Sequence, residues 1–101
     1  MRTLIHVKIP HETFNAAVKD GTVEKKMKRI LDELKPEATY FTEYGGKRSS
    51  LLIVDLADAS QIPAYAEPWF LTFNADCEFR TVMTPEDLAK GGLAELGKKW
   101  A

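Results

Sequence analysis

The chain has 101 residues, 45% of them hydrophobic and 29% charged, with a formal net charge of −1 at pH 7. This length suits one domain, and we expect residues 1–101 to form it, with a core at residues 2–84 and a C-terminal extension at residues 85–101. The nearly neutral charge gives no basis for binding nucleic acid or an anionic membrane, and no apolar run approaches the roughly 20 residues that span a bilayer.

The first elements are a strand and two helices. Residues 2–9 alternate apolar and polar side chains, which predicts a half-buried strand. A short helix is predicted over residues 11–19, ending at Gly21, because glycine tolerates the positive φ of a helix end. Thr22 is expected to cap a second, amphipathic helix. The apolar residues of that helix recur at helical spacing: Val23, Met27, Ile30, Leu31 and Leu34.

The middle of the chain predicts a β-hairpin. Residues 38–44 are rich in aromatic and β-branched residues, and residues 48–56 form the next predicted strand. Gly45-Gly46 between them suits the positive φ angles of a tight turn. Residues 51–54 are continuously apolar, which indicates burial on both faces and therefore a central strand.

A further, shorter helix is predicted after this hairpin. Asp58 and Gln61 are a capping pair by their spacing, Pro63 falls in the first turn, and Pro68 is expected to end the helix. An aromatic turn at residues 69–71 would follow. Three side chains of the predicted helix are expected to face the sheet: Ile62, Tyr65 and Ala66.

Residues 74–83 alternate again and predict the last strand. Thr84-Pro85 then places a capping hydroxyl and a proline at the start of a C-terminal helix, which Gly91-Gly92 should interrupt. Four apolar side chains of this segment need a surface to pack against: Leu88, Leu93, Leu96 and Trp100.

The element order is β-α-β-β-α-β with a C-terminal extension. It predicts an α+β, ferredoxin-like fold with a four-stranded antiparallel sheet. Both helices should cover one sheet face, and alternation assigns six residues to it: Ile5, Val7, Ile9, Cys77, Phe79 and Met83. The opposite face then carries Leu4, His6, Lys8, Glu78, Arg80 and Val82.

The first and last strands are neighbours in this topology, so His6, Lys8, Glu78 and Arg80 should converge on the face without helices. His6 is the predicted catalytic residue, because a histidine with its ordinary pKa of about 6.5 suits proton transfer at neutral pH. Lys8, Tyr40, Glu78 and Arg80 are predicted to bind substrate. From the second strand, either Tyr40 and Tyr44 or Phe41 and Glu43 join them, depending on the register. The alternative is an interface histidine that Glu78 satisfies, within an ordinary ion-pair network.

The run from Gly46 to Leu88, GKRSSLLIVDLADASQIPAYAEPWFLTFNADCEFRTVMTPEDL, together with the element order and length, resembles the dimeric α/β-barrel superfamily, and the resemblance covers residues 2–84. The tail of this run extends from Glu67 to Leu88. The tail is similar to that of a group of small bacterial proteins without an assigned activity, and more distantly the chain resembles muconolactone isomerases. The resemblance implies that two ferredoxin-like subunits pack open face to open face and enclose a cavity. It transfers no catalytic residue, because none of those of the isomerases can be matched onto this chain.

We therefore expect a homodimer that binds a small aromatic or carboxylated metabolite, with a cofactor-independent, isomerase-like activity as the leading hypothesis. The alternatives are a non-catalytic small-molecule binder and a purely structural or interaction module. No cofactor is expected, and two histidines and one cysteine far apart make no metal-ligand spacing. The lone Cys77 cannot form an internal disulfide and should be buried and inert; it indicates a reducing compartment, so we expect a cytoplasmic protein.

Overall fold

The computed structural model describes all residues from Met1 to Ala101. Its elements in chain order are strand β1 (Arg2–Lys8), helices α1 (His11–Asp20) and α2 (Val23–Leu34), strands β2 (Ala38–Tyr44) and β3 (Lys47–Asp55), a 3₁₀ turn (Ala59–Gln61), helix α3 (Ile62–Phe73), strand β4 (Asp76–Thr81), and helices α4 (Pro85–Lys90) and α5 (Leu93–Lys99). This order and its antiparallel sheet confirm the predicted α+β, ferredoxin-like fold.

The four strands form one antiparallel sheet in the order β2-β3-β1-β4. Strands β1 and β3 are central, as the apolar run in β3 predicted, and β1 pairs with both β3 and β4. Gly45 and Gly46 join β2 to β3 with φ angles of +58° and +81°, the left-handed values that a two-residue hairpin turn requires. The sheet therefore places the middle of β1 between residues of two neighbouring strands.

The core lies between the sheet and its helices. Ile5 and Val7 of β1 and Leu52 of β3 are fully buried there, where they meet Trp69 and Phe73 of α3. Cys77 and Phe79 of β4 pack against the edge of this cluster and are partly exposed. These contacts confirm the helix-facing assignment of alternate residues in β1 and β4.

Helices α1 and α2 meet at Gly21, which has a φ of +79° and donates its backbone N–H to carbonyls at the end of α1. Thr22 lies at the predicted N-cap of α2, but its side chain makes no capping hydrogen bond. Instead the Thr22 hydroxyl donates to the carboxylate of Asp20 at 2.6 Å. The position of the helix start was predicted correctly, whereas the capping contact was wrong.

Helix α3 contradicts the predicted end at Pro68. The helix continues to Phe73, so Trp69, Phe70 and Leu71 are helical and form no turn. Proline removes the N–H that would bond to the carbonyl of Ala64, but Ala64 is exposed, so water can satisfy that oxygen. Complete burial of Trp69 and Phe73, four residues apart on one helical face, favours continuing the helix.

Two other predictions at the ends of elements were wrong. Strand β4 is shorter than predicted, because Asn74 ends α3 in the left-handed conformation and the pairing stops at Thr81. Met83 therefore lies outside the sheet with 67% of its surface exposed, and Val82 is also beyond the strand. Ile62 is exposed at the first turn of α3 rather than facing the sheet.

The C-terminal segment has the predicted start and interruption. The Thr84 side chain accepts a hydrogen bond from the backbone of Asp87, and the Asp87 side chain accepts one from the backbone of Thr84. Gly92, with a φ of +71°, separates α4 from α5. Neither helix contains a buried residue. We call residues 85–101 the arm.

Candidate functional site

The sheet face opposite the helices, which we call the open face, has no helix packed over it. The register places His6 beside Leu51 of β3 and Glu78 of β4, and places Lys8 beside Ser49 and Asp76. Leu51 in turn pairs with Tyr40 of the edge strand β2. The open face contains these side chains from the four strands: Leu4, His6, Lys8, Tyr40, Thr42, Tyr44, Ser49, Leu51, Ile53, Asp76, Glu78 and Arg80.

His6 lies at the centre of this face and is nevertheless 8% exposed. Its Nε2 atom is 2.7 Å from the hydroxyl oxygen of Ser49, and which of the two groups donates depends on the imidazole tautomer. The ring of Tyr44 lies edge-on to the His6 ring, with centroids 5.1 Å apart. His6 Nδ1 is 3.7 Å from Glu78 Oε1, beyond hydrogen-bond length. Ser49 and Tyr44 therefore fix the ring and leave Nδ1 without a direct hydrogen bond.

Glu78 is the carboxylate around which the charged groups gather. Its Oε1 lies 2.6 Å from the Lys8 ammonium, and its Oε2 lies 3.5 Å from the Arg80 guanidinium. The hydrogen bond from Lys8, supported by the charges of Lys8, Arg80 and His6, lowers the pKa of Glu78. The same hydrogen bond raises the pKa of Lys8. At neutral pH the cluster therefore holds one carboxylate, one ammonium and one guanidinium.

The two tyrosines of β2 differ in their relation to His6. Tyr44 contacts the His6 ring and also lies under the Lys8 ammonium, 4.3 Å from Nζ to the ring centroid. Tyr40 lies on the same strand and the same face, four residues before Tyr44, where it pairs with Leu51 and is 64% exposed. The register thus selects the Tyr40 and Tyr44 face over the Phe41 and Glu43 face, and Tyr44 is the one that reaches the predicted cluster.

Ser49 is the site residue that the sequence analysis missed. It is 2% exposed on the open face, although serine is usually found at the surface. A serine in a strand gives no signal of its own, and only the pairing of Ser49 with Lys8 places it diagonally beside His6. Knowledge of the β1–β3 register would have identified it.

Cys77 lies on the opposite side of β4 from Glu78. Burial, with a smaller contribution from the charge of Asp76, raises the pKa of its thiol to about 12. Thiols in this state are protonated at neutral pH and react slowly. No group of three or more His, Cys, Asp or Glu side chains is placed to hold a metal ion.

A groove of about 820 Å³ lies between α2 and α3. Its walls include Ile30, Pro68 and Leu71, and none of the open-face residues lines it. In a single chain the open face is a surface rather than an enclosed cavity. None of the helices is both long and apolar enough to cross a lipid bilayer.

No protein-family model matches the chain, and no curated protein matches it in sequence. Its fold is similar to that of 5-chloro-2-hydroxyhydroquinone dehydrochlorinase from Burkholderia phenoliruptrix AC1100, solved in complex with 2,5-dihydroxybenzoquinone. The TM-score is 0.61 and the sequence identity 16%, over 85% of this chain and 97% of the dehydrochlorinase chain. At this identity the similarity shows the fold alone, and it agrees with the ferredoxin-like fold of this chain.

Proposed function

We propose that the protein is a homodimer whose two open faces enclose a cavity for a small aromatic or carboxylated metabolite, and that His6 transfers a proton in a cofactor-independent, isomerase-like reaction. The observation that carries this proposal is the setting of His6, a nearly buried histidine on a sheet face that no helix covers, with a carboxylate and two cations around it.

The mixed chemistry of the open face supports the dimer. Tyr40 and Tyr44 expose 64% and 54% of their surface there, and Leu51 and Ile53 are only partly buried, beside the charged cluster of Glu78. Contiguous apolar surface of this kind marks an interaction site in a soluble protein. A second open face would cover the apolar residues and turn the charged cluster into the wall of a cavity, as the resemblance to dimeric α/β barrels implies.

The charges of the cluster support an anionic ligand. Lys8 is engaged by Glu78, whereas the Arg80 guanidinium is 57% exposed and lies at a long 3.5 Å from that carboxylate. Arg80 is thus free to pair with a carboxylate or a phenolate oxygen, for which its planar fork is suited. Tyr40 offers an exposed ring against which an aromatic ligand can stack. The 2,5-dihydroxybenzoquinone in the dehydrochlorinase structure is likewise a small ring with oxygen substituents.

The hydrogen bonds of His6 define its proposed role. Ser49 occupies Nε2, so Nδ1 is the atom that accepts a proton from a carbon acid of the substrate and returns it to another carbon. Glu78 Oε1, at 3.7 Å, stabilises the imidazolium that exists between these two transfers. Lys8 holds Glu78 in place and keeps it ionised.

Binding is tested with 2,5-dihydroxybenzoquinone and a series of small aromatic carboxylates, measured as the rise in melting temperature and as NMR shift changes. The Arg80→Gln variant should weaken binding of the anionic probes, whereas Arg29→Gln on the outer face of α2 is the matched control and should bind normally. Probes that bind both variants equally would remove Arg80 from the site. No binding by any probe together with a monomer in light scattering would contradict the proposed function.

Catalysis is tested with a bound probe that the protein converts. The His6→Gln variant should then lower kcat by about 10²–10⁴, the usual contribution of a general acid or base. The corresponding His11→Gln change, at the exposed start of α1, should leave kcat unchanged. A rate that survives His6→Gln would exclude His6 as the proton-transfer group.

A non-catalytic binding protein is the second candidate, and the packing of His6 favours it. Its 8% exposure, its hydrogen bond to Ser49 and its packing against Tyr44 are contacts that would hold the face together without any catalysis. This candidate predicts that a ligand stabilises the protein without being converted. A purely structural module predicts instead a dimer interior filled by side chains and no stabilisation by any probe.

A further inference from the structure

The arm is not packed like the rest of the chain. The radius of gyration is 17.1 Å and the longest dimension 60 Å, whereas a compact domain of this length has a radius of gyration of about 13 Å. Every buried residue lies between Thr3 and Ala75, and α4 and α5 contain none. The arm therefore projects from the packed body.

The arm carries apolar side chains that its own chain does not cover. Leu93 is 61% exposed and Trp100 is 77% exposed, and the only aromatic contact of Trp100 is with the ammonium of Lys99 beside it. Leu88 and Leu96 are also exposed, at 44% and 45%. Four large apolar side chains on 17 consecutive residues are more than an isolated surface segment normally exposes.

Helix length gives an independent reason for the arm to have a partner surface. Helix α4 has six residues and α5 has seven. Isolated helices shorter than about 12–15 residues are marginal in water, because the cost of nucleating a helix is recovered only over several turns. The capping box at Thr84 and Asp87 fixes the start of α4 but not α5, which begins at Gly92 without a side-chain cap. Helical structure in the arm therefore needs packing from outside.

Strand β2 is the part of the sheet that exposes large apolar side chains. It is an edge strand, and Phe41 exposes 61% of its surface on one face while Tyr40 and Tyr44 are exposed on the other. A covering helix or loop is one of the ways in which proteins protect an exposed edge strand from pairing with other chains. The arm of the same chain leaves from β4 at the opposite edge, three strand spacings of about 4.8 Å each from β2.

We propose that the arm of each protomer packs on strand β2 of a second copy of this chain. This rests on the homodimer of the proposed function. When two open faces meet about a two-fold axis that runs parallel to the strands, the β4 edge of one sheet lies over the β2 edge of the other. The arm then starts next to the partner's exposed strand, and the exchange is reciprocal, as two-fold symmetry requires. Each copy supplies one arm and one β2, so the exchange leaves neither uncovered.

The two tryptophans provide a direct test. Trp69 is fully buried and Trp100 is 77% exposed in one chain, so the difference between the native protein and a Trp100→Phe variant isolates the fluorescence of Trp100. At micromolar concentration we expect quenching of Trp100 by acrylamide to be several-fold weaker than in the urea-unfolded chain. A Phe41→Ser change in β2 should restore the quenching. Leu71→Ser, at a residue 82% exposed outside the arm and β2, is the control and should not.

Cysteine cross-linking then identifies the chain that receives the arm. Chains carrying Phe41→Cys are mixed with chains carrying Leu96→Cys, both with Cys77→Ala, and a disulfide between the two kinds of chain is expected.

Quenching of Trp100 as strong as in the unfolded chain, within a dimer, would overturn the exchange and leave the proposed dimer standing. Shielding that survives Phe41→Ser would overturn the assignment to β2. A mass of 11.4 kDa by light scattering would overturn both the exchange and the proposed homodimer.

Discussion

Ser49 and Ser50 are adjacent in β3 and both buried, yet we expect opposite effects when each is changed to alanine. The Ser49 hydroxyl lies 2.7 Å from Nε2 of His6 on the open face. The Ser50 hydroxyl, on the helix-covered face, has no hydrogen-bond partner. Exposure is 2% for Ser49 and 0% for Ser50, so the pair differs in hydrogen bonding rather than in burial.

Ser49→Ala removes the partner of a nearly buried imidazole nitrogen. Leaving such a group unsatisfied costs about 1–3 kcal/mol in the free energy of unfolding. For a domain of about this size, that loss lowers the melting temperature by about 4–24 °C, at 4–8 °C for each kcal/mol. Ser50→Ala removes a buried hydroxyl that has no hydrogen-bond partner to compensate for its desolvation. The free energy gained by removing it offsets the cost of the small void left by one oxygen atom, so the free energy of unfolding should stay the same or rise.

Urea unfolding at pH 7.5 measures both variants against the native protein, at one fixed protein concentration because the stability of a dimer depends on it. NMR of the imidazole nitrogens provides a second readout, since loss of the Ser49 contact should change the His6 tautomer equilibrium and leave the exposed His11 unchanged. Equal destabilisation by the two changes would refute the reasoning, because it would show that packing rather than the Ser49 hydrogen bond determines the cost. A neutral Ser49→Ala change would refute it as well.

The pKa of Glu78 is lowered on folding, so the stability that its carboxylate contributes is present above the ordinary carboxyl pKa and is lost as the pH falls through the lowered value. The Glu78→Gln variant should therefore lose less stability than the native protein between about pH 5 and pH 3. Parallel acid-unfolding curves for the two proteins would exclude the Lys8 ion pair as the cause. Cys77, whose thiol pKa is raised to about 12, should react with a thiol reagent at pH 8 far more slowly in the folded protein than in urea, and equal rates would show that the thiol is not protected. Leu52→Ala should lower the free energy of unfolding by about 2–5 kcal/mol, because Leu52 is fully buried. Leu71→Ala, at a residue 82% exposed, should change it by no more than about 0.5 kcal/mol. Similar urea midpoints for the two variants would contradict the described core.

The sequence predicted the sheet well because alternation in β1 and β4 is set by burial on one side. Ile5 and Val7 had to face the helices, and His6 and Lys8 then had to face away. The topology followed from the element order, and it brought Glu78 beside His6. Patterns that extend over a few residues were therefore sufficient to predict which side chains lie on the open face and which of them form the charged cluster around Glu78.

The predictions that depended on distant contacts did less well. Pro68 has a strong local tendency to end a helix, but the burial of Trp69 and Phe73 against the sheet outweighs it. Ser49 becomes a site residue only through the β1–β3 register, which no local pattern specifies. Met83 continues the alternation in the sequence, yet the strand has already ended at Thr81.

The central position of β1 affects how the candidate site moves. Its backbone is hydrogen-bonded to a strand on each side, so amide protons around His6 should exchange with solvent only in openings close to global unfolding. A ligand that binds at His6 therefore meets a backbone that is already ordered and has little conformational entropy left to lose. Affinity at this face should depend on the exposed side chains, above all Arg80 and Tyr40, because binding reduces their conformational entropy rather than that of the backbone.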